Sequence, residues 1–159
     1  RLNDLWRLIM IEKLIKKENI ILGVESVKDW KEAIHLSLEP LVKGGYCTDG
    51  YEEAVIKMTE QYGPYYVLCE EFALIHSNAF ETVNETQMAV TTLKNPIKFS
   101  DDGYDVRILV ALVAQDGTKH MEGIVACSNI FSDEDKIMDI INATDPQFVY
   151  DMFVENASE

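Results

Sequence analysis

Apolar residues recur along this chain with two periods, and the change of period divides it into elements. Ile11 to Lys17 reads as a short helix, and Ile20, Ile21, Leu22 and Val24 as a short buried strand. Ser26-Val27-Lys28-Asp29 has the form of a capping box with Asp in place of Glu. After it Trp30, Ala33, Ile34, Leu38 and Leu41 fall on one face of a helix, which Gly44-Gly45 ends. Tyr51, Ala54, Val55, Met58 and Tyr62 make a second helical face, stopped at Gly63-Pro64. The period then shortens. Tyr65–Leu68, Phe72–Ile75 and Met88–Leu93 are β-prone runs, the last broken by Asn95-Pro96. Ile108 to Ala114 is continuously apolar and rich in β-branched residues, which predicts a central strand covered on both faces. Thr118 to Phe131 returns to a helical period with Met121, Ile124, Val125 and Phe131 inward. Ser132 is set to cap a helix through Ile137, Ile140 and Ile141. Asp145-Pro146, an N-cap followed by proline, opens a last helix carrying Phe148, Val149, Met152 and Phe153.

Helix, strand, helices, several strands, helices is the order of an α/β domain, a mixed β-sheet sandwiched between helices. There is no repeat, low-complexity tract or Pro/Gly/Ser linker. The 159 residues make one domain, long enough to bury a core without staples.

Charge narrows the range of partners. Lys+Arg number 14 against 28 Asp+Glu, a formal net charge of −14, which disfavours nucleic acid and anionic membranes and suits basic partners. Three cysteines, at 47, 69 and 127, lack CxxC spacing, which argues against a disulfide framework and a zinc site. Residues 1–10 are apolar in patches but interrupted by Asp4 and Arg7, so no targeting segment or span is expected and a cytoplasmic home is. Met10 is a candidate start, with residues 1–9 as an extension.

The Gly-rich nucleotide loops, HExxH and GxSxG are absent, and no cofactor is expected. Three histidines remain. His35 sits on an amphipathic helix, a rim position. His76 ends the apolar run Phe72–Ile75 and precedes Ser77-Asn78; His120 follows the long apolar strand across Gln115–Lys119 and opens a helix. Strand exits are where α/β sheets gather ligand sites, and a helix start favours an anion. The two histidines, 44 positions apart, can meet if their strands are neighbours. A neutral imidazole is a nucleophile near pH 7 and can take a phosphoryl group on nitrogen and pass it on. The second histidine and the helix start at Thr118–His120 could stabilise the phosphoryl charge, with Ser77 as a further candidate.

Other chemistry is weaker. Cys69 precedes two glutamates that would blunt it as a nucleophile, so a Cys69/His76 hydrolase is a minor alternative. Ser132-Asp133-Glu134-Asp135 suggests a metal, or simply acids at a helix start. Tyr62-Gly63-Pro64-Tyr65-Tyr66 reads as a turn with core aromatics.

These residues carry a resemblance. Trp30-Lys31-Glu32-Ala33-Ile34, Tyr51–Ile56, Gly63-Pro64-Tyr65-Tyr66-Val67-Leu68, Ala73-Leu74-Ile75-His76, Leu93–Phe99 and Asp116-Gly117-Thr118-Lys119-His120 occur in that order. From Met10 to Glu155 the chain resembles the IIA components of the bacterial phosphoenolpyruvate-dependent sugar phosphotransferase system, in the mannitol/fructose superfamily and its ascorbate-specific branch. The resemblance departs at Ile75, where proline usually stands, at Ser77-Asn78-Ala79-Phe80, and at Met58, where the mannitol branch carries arginine.

The resemblance implies an α/β sandwich and a phosphoryl relay. His76 would accept phosphoryl from the phosphocarrier protein HPr and give it to a IIB partner, with His120 in support and a membrane IIC component served indirectly. Residues 10–155 would form the IIA domain and 156–159 a tail. A homodimer is left open. A second reading is a IIA-like interaction module of a transcription regulator, phosphorylated for signalling.

Overall fold

The computed structural model describes Leu5 and residues 11–156. The reading of residues 1–9 as an extension therefore falls almost wholly outside the described residues. The expected mixed sheet between helices is what is observed. Strands β1 (Ile15–Val24), β2 (Val67–Cys69), β3 (Glu71–Ile75), β4 (Gln87–Lys98) and β5 (Asp105–Val113) lie in the order β1-β4-β5-β3-β2. β1 runs parallel to β4, β4 antiparallel to β5, β5 parallel to β3, and β3 antiparallel to β2. Among the described residues, helices with both ends placed are α1 (Trp30–Lys43), α2 (Asp49–Tyr62), α3 (Gly117–Phe131), α4 (Glu134–Asn142) and α5 (Pro146–Asn156); residues 11–14 are also helical, and a 3-10 turn spans Phe80–Thr82.

The central strand shows why the sheet must be covered twice. Ile108, Val110 and Leu112 of β5 pack with Cys127, Ile130, Ile140, Val149 and Phe153 from α3, α4 and α5. Leu109, Ala111 and Val113 face the other way, onto Ile34, Leu38, Tyr51 and Val55 of α1 and α2. All six β5 residues are fully buried. Alternation along a strand sends successive side chains to opposite faces, so an unbroken apolar run needs two apolar layers.

Several expectations are corrected. The helix read over Ile11–Lys17 stops at Leu14, because Ile15 already pairs with Met88 of β4. Helix α1 is capped by Asp29, whose carboxylate accepts the Glu32 N–H at 2.8 Å, and not by a box begun at Ser26. Asn95-Pro96 does not end β4. The pairing with β5 jumps from Thr92↔Ile108 to Ile97↔Val106, and the pairing with β1 stops at Leu93, so the proline sits where no ladder bond is required of it. On α3 the buried residues are Gly123, Cys127, Ile130 and Phe131, while Met121 and Val125 are more than half exposed. Ser132 closes α3, and Asp133 caps α4. Phe148 is exposed, whereas Val149, Met152 and Phe153 of α5 are buried. Asn156 is the last residue of α5, buried, with its amide on the Met152 carbonyl at 2.7 Å.

Candidate active site

Parallel pairing of β3 with β5 brings their C-terminal ends to one edge of the sheet, with Ile75 opposite Ala111. His76 leaves the end of β3, and His120 lies in the first turns of α3, a short loop beyond β5. The histidines separated by 44 positions therefore meet: their ring centroids are 5.1 Å apart, at an interplanar angle of 51°. This is the crevice at strand ends where α/β sheets place ligands.

The orientation of His76 is set by its own strand. Its Nδ1 lies 2.5 Å from the Leu74 carbonyl oxygen. A carbonyl can only accept, so Nδ1 carries the proton and Nε2 keeps its lone pair. Tyr65 packs edge-on to the ring, 5.3 Å between centroids, and its hydroxyl donates to the His76 carbonyl. One residue on, the Ser77 N–H donates to the Tyr51 hydroxyl at 2.8 Å, and that hydroxyl donates to the Leu112 carbonyl at 2.8 Å. Two tyrosines thus hold the backbone on either side of the His76 side chain. Burial pushes the Tyr65 phenol up to about 12 and the Tyr51 phenol higher still, so both remain protonated donors near pH 7.

Burial lowers the pKa of His76, partly opposed by the Leu74 carbonyl. Burial and then the neighbouring His76 lower that of His120. Both imidazoles are therefore neutral near pH 7. Nδ1 of His120 is buried and has no hydrogen-bond partner among the described residues. Phe80 covers this ring from the side, at a centroid distance of 6.3 Å.

The other sequence candidates lie around this pair. Ser77 is buried; its hydroxyl accepts the Ala79 N–H at 3.2 Å and retains a proton to donate. Thr118 is exposed in the first turn of α3. The start of that helix is capped by Asp116, which takes the Lys119 N–H on its carboxylate at 2.9 Å and the His120 N–H on its carbonyl at 3.0 Å. An anion would meet Asp116 there, which weakens the expectation of a helix-start anion site.

Cys69 pairs with Phe72, four residues along β3 from His76, about 13 Å at ~3.3 Å per residue, so the minor cysteine–histidine alternative is not assembled. Asp133 spends its carboxylate on the N–H groups of Asp135 and Lys136. His35 is a rim residue, with Nδ1 2.7 Å from Glu52. The sequence reading did not assign Tyr51 or Tyr65 to the site. Tyr51 looks like any apolar position of its helical face, and only the Gly-Pro-Tyr stretch marked Tyr65.

Comparison with known proteins fits this geometry. The family model described as "Phosphoenolpyruvate-dependent sugar phosphotransferase system, EIIA 2" matches residues 13–156. The ascorbate-specific PTS system EIIA component of Escherichia coli K12 is 33% identical over 126 residues, 78% of this chain and 81% of that protein. The crystal structure of a PTS IIA (PtxA) from Streptococcus mutans superposes with a TM-score of 0.81 at 31% identity, covering 94% of this chain and 92% of the other. Enzyme IIA for mannitol from E. coli, solved in complex with phosphorylated enzyme IIB, has a TM-score of 0.77 at 26% identity, over 89% and 99% of the two chains. No helix among the described residues is long and apolar enough to cross a membrane. The chain belongs to the EIIA 2 family of the phosphoenolpyruvate-dependent sugar phosphotransferase system.

Proposed function

We propose that this EIIA protein relays a phosphoryl group through Nε2 of His76, receiving it from phospho-HPr and passing it to a IIB partner of an L-ascorbate phosphotransferase system. The observation that carries the reading is the His76 side chain itself. Its Nδ1 is committed to the Leu74 carbonyl, its Nε2 holds a free pair, and a second histidine stands 5.1 Å away.

In the first step the Nε2 lone pair forms a bond to phosphorus while the bond from phosphorus to the donor breaks, its electrons staying with the donor. No proton need leave His76, because the nitrogen that attacks carries none. Lowered basicity keeps the imidazole neutral for the attack. The phosphoryl dianion then lies beside His120, whose unpartnered Nδ1 has a hydrogen bond still to make. The added negative charge favours protonation of His120, and a charged donor stabilises both the transition state and the phosphohistidine. Ser77 and, from the solvent side, Thr118 are further donors. The second step reverses the first toward IIB. Ascorbate as the sugar rests on the named relatives.

Incubation with phosphoenolpyruvate, enzyme I and HPr tests the reading. An acid-labile, base-stable phosphate is expected on the wild-type chain and none on His76→Ala. Full labelling of His76→Ala would sink the assignment. Transfer of the label to an ascorbate IIB, and not to a mannitol IIB, tests the partner.

A further inference from the structure

Phe80 is a large apolar ring that neither core takes in. It is half-buried, opens the 3-10 turn Phe80–Thr82, and packs into neither of the apolar layers that cover the sheet. Its aromatic contact is with His120, at 6.3 Å between centroids and an interplanar angle of 69°. That is the edge-to-face arrangement in which rings attract, with centroids about 4.5–7 Å apart.

His120 needs such a contact. The ring of His76 is fixed by its Nδ1 bond to Leu74, whereas Nδ1 of His120 has no hydrogen-bond partner among the described residues. The orientation of His120 therefore leans on packing, and the rings beside it are His76 at 5.1 Å and Phe80.

The backbone under Phe80 is itself held firmly, because α2 grips both ends of the segment that carries it. At one end the Ser77 N–H donates to the Tyr51 hydroxyl at 2.8 Å. At the other the N–H of Thr48, the cap residue of α2, donates to the Thr82 carbonyl at 3.0 Å. Within the turn the Thr82 hydroxyl donates to the Ala79 carbonyl at 2.7 Å and the Val83 N–H to the Phe80 carbonyl at 3.1 Å. Gly50 lets α2 come this close: a Cβ there would stand 3.0 Å from Thr82 Cγ2. The start of α2 thus sets the backbone after His76 and the backbone under Phe80 together.

We propose that Phe80 is a positioning residue of the relay: its ring, placed by the start of α2, holds the His120 imidazole against His76. This rests on the phosphoryl relay through His76 proposed above. Phe80 acts through His120 and not on the phosphoryl group. An apolar ring asks for no hydrogen bond, so the contact leaves Nδ1 of His120 available to the phosphoryl group.

A supporting group moved by about 1 Å can cost about 10²-fold in rate. Transfer from phospho-HPr to Phe80→Ala should slow about tenfold in kcat, with KM unchanged. Phe80→Tyr keeps the ring and should recover most of the rate. In a His120→Ala background Phe80→Ala should slow transfer no further, because residues that act as a unit are not additive. A general loss of structure would slow both backgrounds alike. The second readout needs no phosphoryl donor. Nuclear Overhauser cross-peaks between the imidazole protons of His76 and His120 should be present in the wild-type chain, weaken in Phe80→Ala and return in Phe80→Tyr. Unchanged kcat and cross-peaks in Phe80→Ala would overturn the proposal. So would further slowing in the His120→Ala background, or a rise in KM alone, which would put Phe80 on the docking surface. A wild-type chain that takes no label would sink the relay reading, and the cross-peaks of Phe80→Ala would then decide by themselves whether its ring holds His120.

Discussion

The phenol of Tyr51 and the backbone of Ser77 are bonded inside the protein, with the Ser77 N–H donating to the hydroxyl at 2.8 Å and the hydroxyl donating on to Leu112 at 2.8 Å. One atom on α2 thereby ties the segment after His76 to the central strand. Tyr51→Phe removes that atom and leaves a buried N–H and a buried carbonyl unpaired. The expected cost is about 1–3 kcal/mol in urea denaturation, with slower phosphorylation of His76. Unchanged stability together with an unchanged rate would show that the clamp has no role.

Tyr65→Phe probes the other side of the same residue. The ring keeps its edge contact with His76, while the hydroxyl's bond to the His76 carbonyl and its weak contact with Met58 Sδ at 3.9 Å are lost. About 1 kcal/mol of stability should go, because the carbonyl is only part-buried. The phosphoryl-transfer rate should fall several-fold at unchanged KM for phospho-HPr. A change in KM alone would place Tyr65 on the docking surface rather than behind the nucleophile.

His120→Ala separates support from nucleophile. His76 keeps its orientation from Leu74, so labelling should persist, while transfer slows by about 10²-fold or more as a stabilising donor is lost. His120→Gln retains a hydrogen-bond donor and should recover part of the loss. A His120→Ala protein that transfers at the wild-type rate would remove His120 from the mechanism.

The pKa directions fix a pH dependence. Burial lowers both histidines below their ordinary value near 6.5. Between the folded and ordinary values the unfolded chain binds more protons than the folded one, so stability rises with pH through this window. It is complete above about pH 6.5 and is lost as pH falls toward the folded pKa values. Melting temperature should decline below pH 6.5 more steeply in the wild type than in a His76→Gln, His120→Gln double variant. Phosphorylation should not slow as pH falls from 7.5 to 6.5, since His76 stays neutral and the proton taken up by His120 only helps. A rate that drops over that interval would contradict the lowered pKa of His76.

Gly123 sets the seat of the supporting helix. A Cβ there would stand 2.7 Å from Leu112 Cδ1 and 2.8 Å from Cδ2, so α3 lies against β5 only because the position has no side chain. Gly123 is one turn beyond His120. Gly123→Val should overpack this contact at about 1–3 kcal/mol and move His120 away from His76. The transfer rate should fall although no reacting group has changed. A stable variant with unimpaired transfer would show that Leu112 repacks freely.

The helices and the doubly covered strand were legible in the sequence because each repeats one period long enough to be counted. The sheet exit of both histidines followed from apolar runs that stop immediately before them. Three kinds of feature were not legible. Pairing across the sheet turned Ile15–Lys17 from helix to strand through a partner as far away as Met88, and carried β4 past Pro96 through the hairpin partner β5, whose register no apolar period reveals. The inward face of α3 was misread because Gly123 makes the close contact that Met121 and Val125 seemed to claim. Tyr51 and Tyr65 were not legible because a tyrosine packed in a core and one that clamps the backbone around His76 differ only in where the hydroxyl ends.

The bond from His76 Nδ1 to Leu74 spans two residues of one strand. In the proposed relay the choice of reactive nitrogen is thus made by the chain on itself, within one strand. An exposed neighbour such as Asn78 takes no part in it. The surface around the histidine is then free to vary while the nitrogen it offers stays the same.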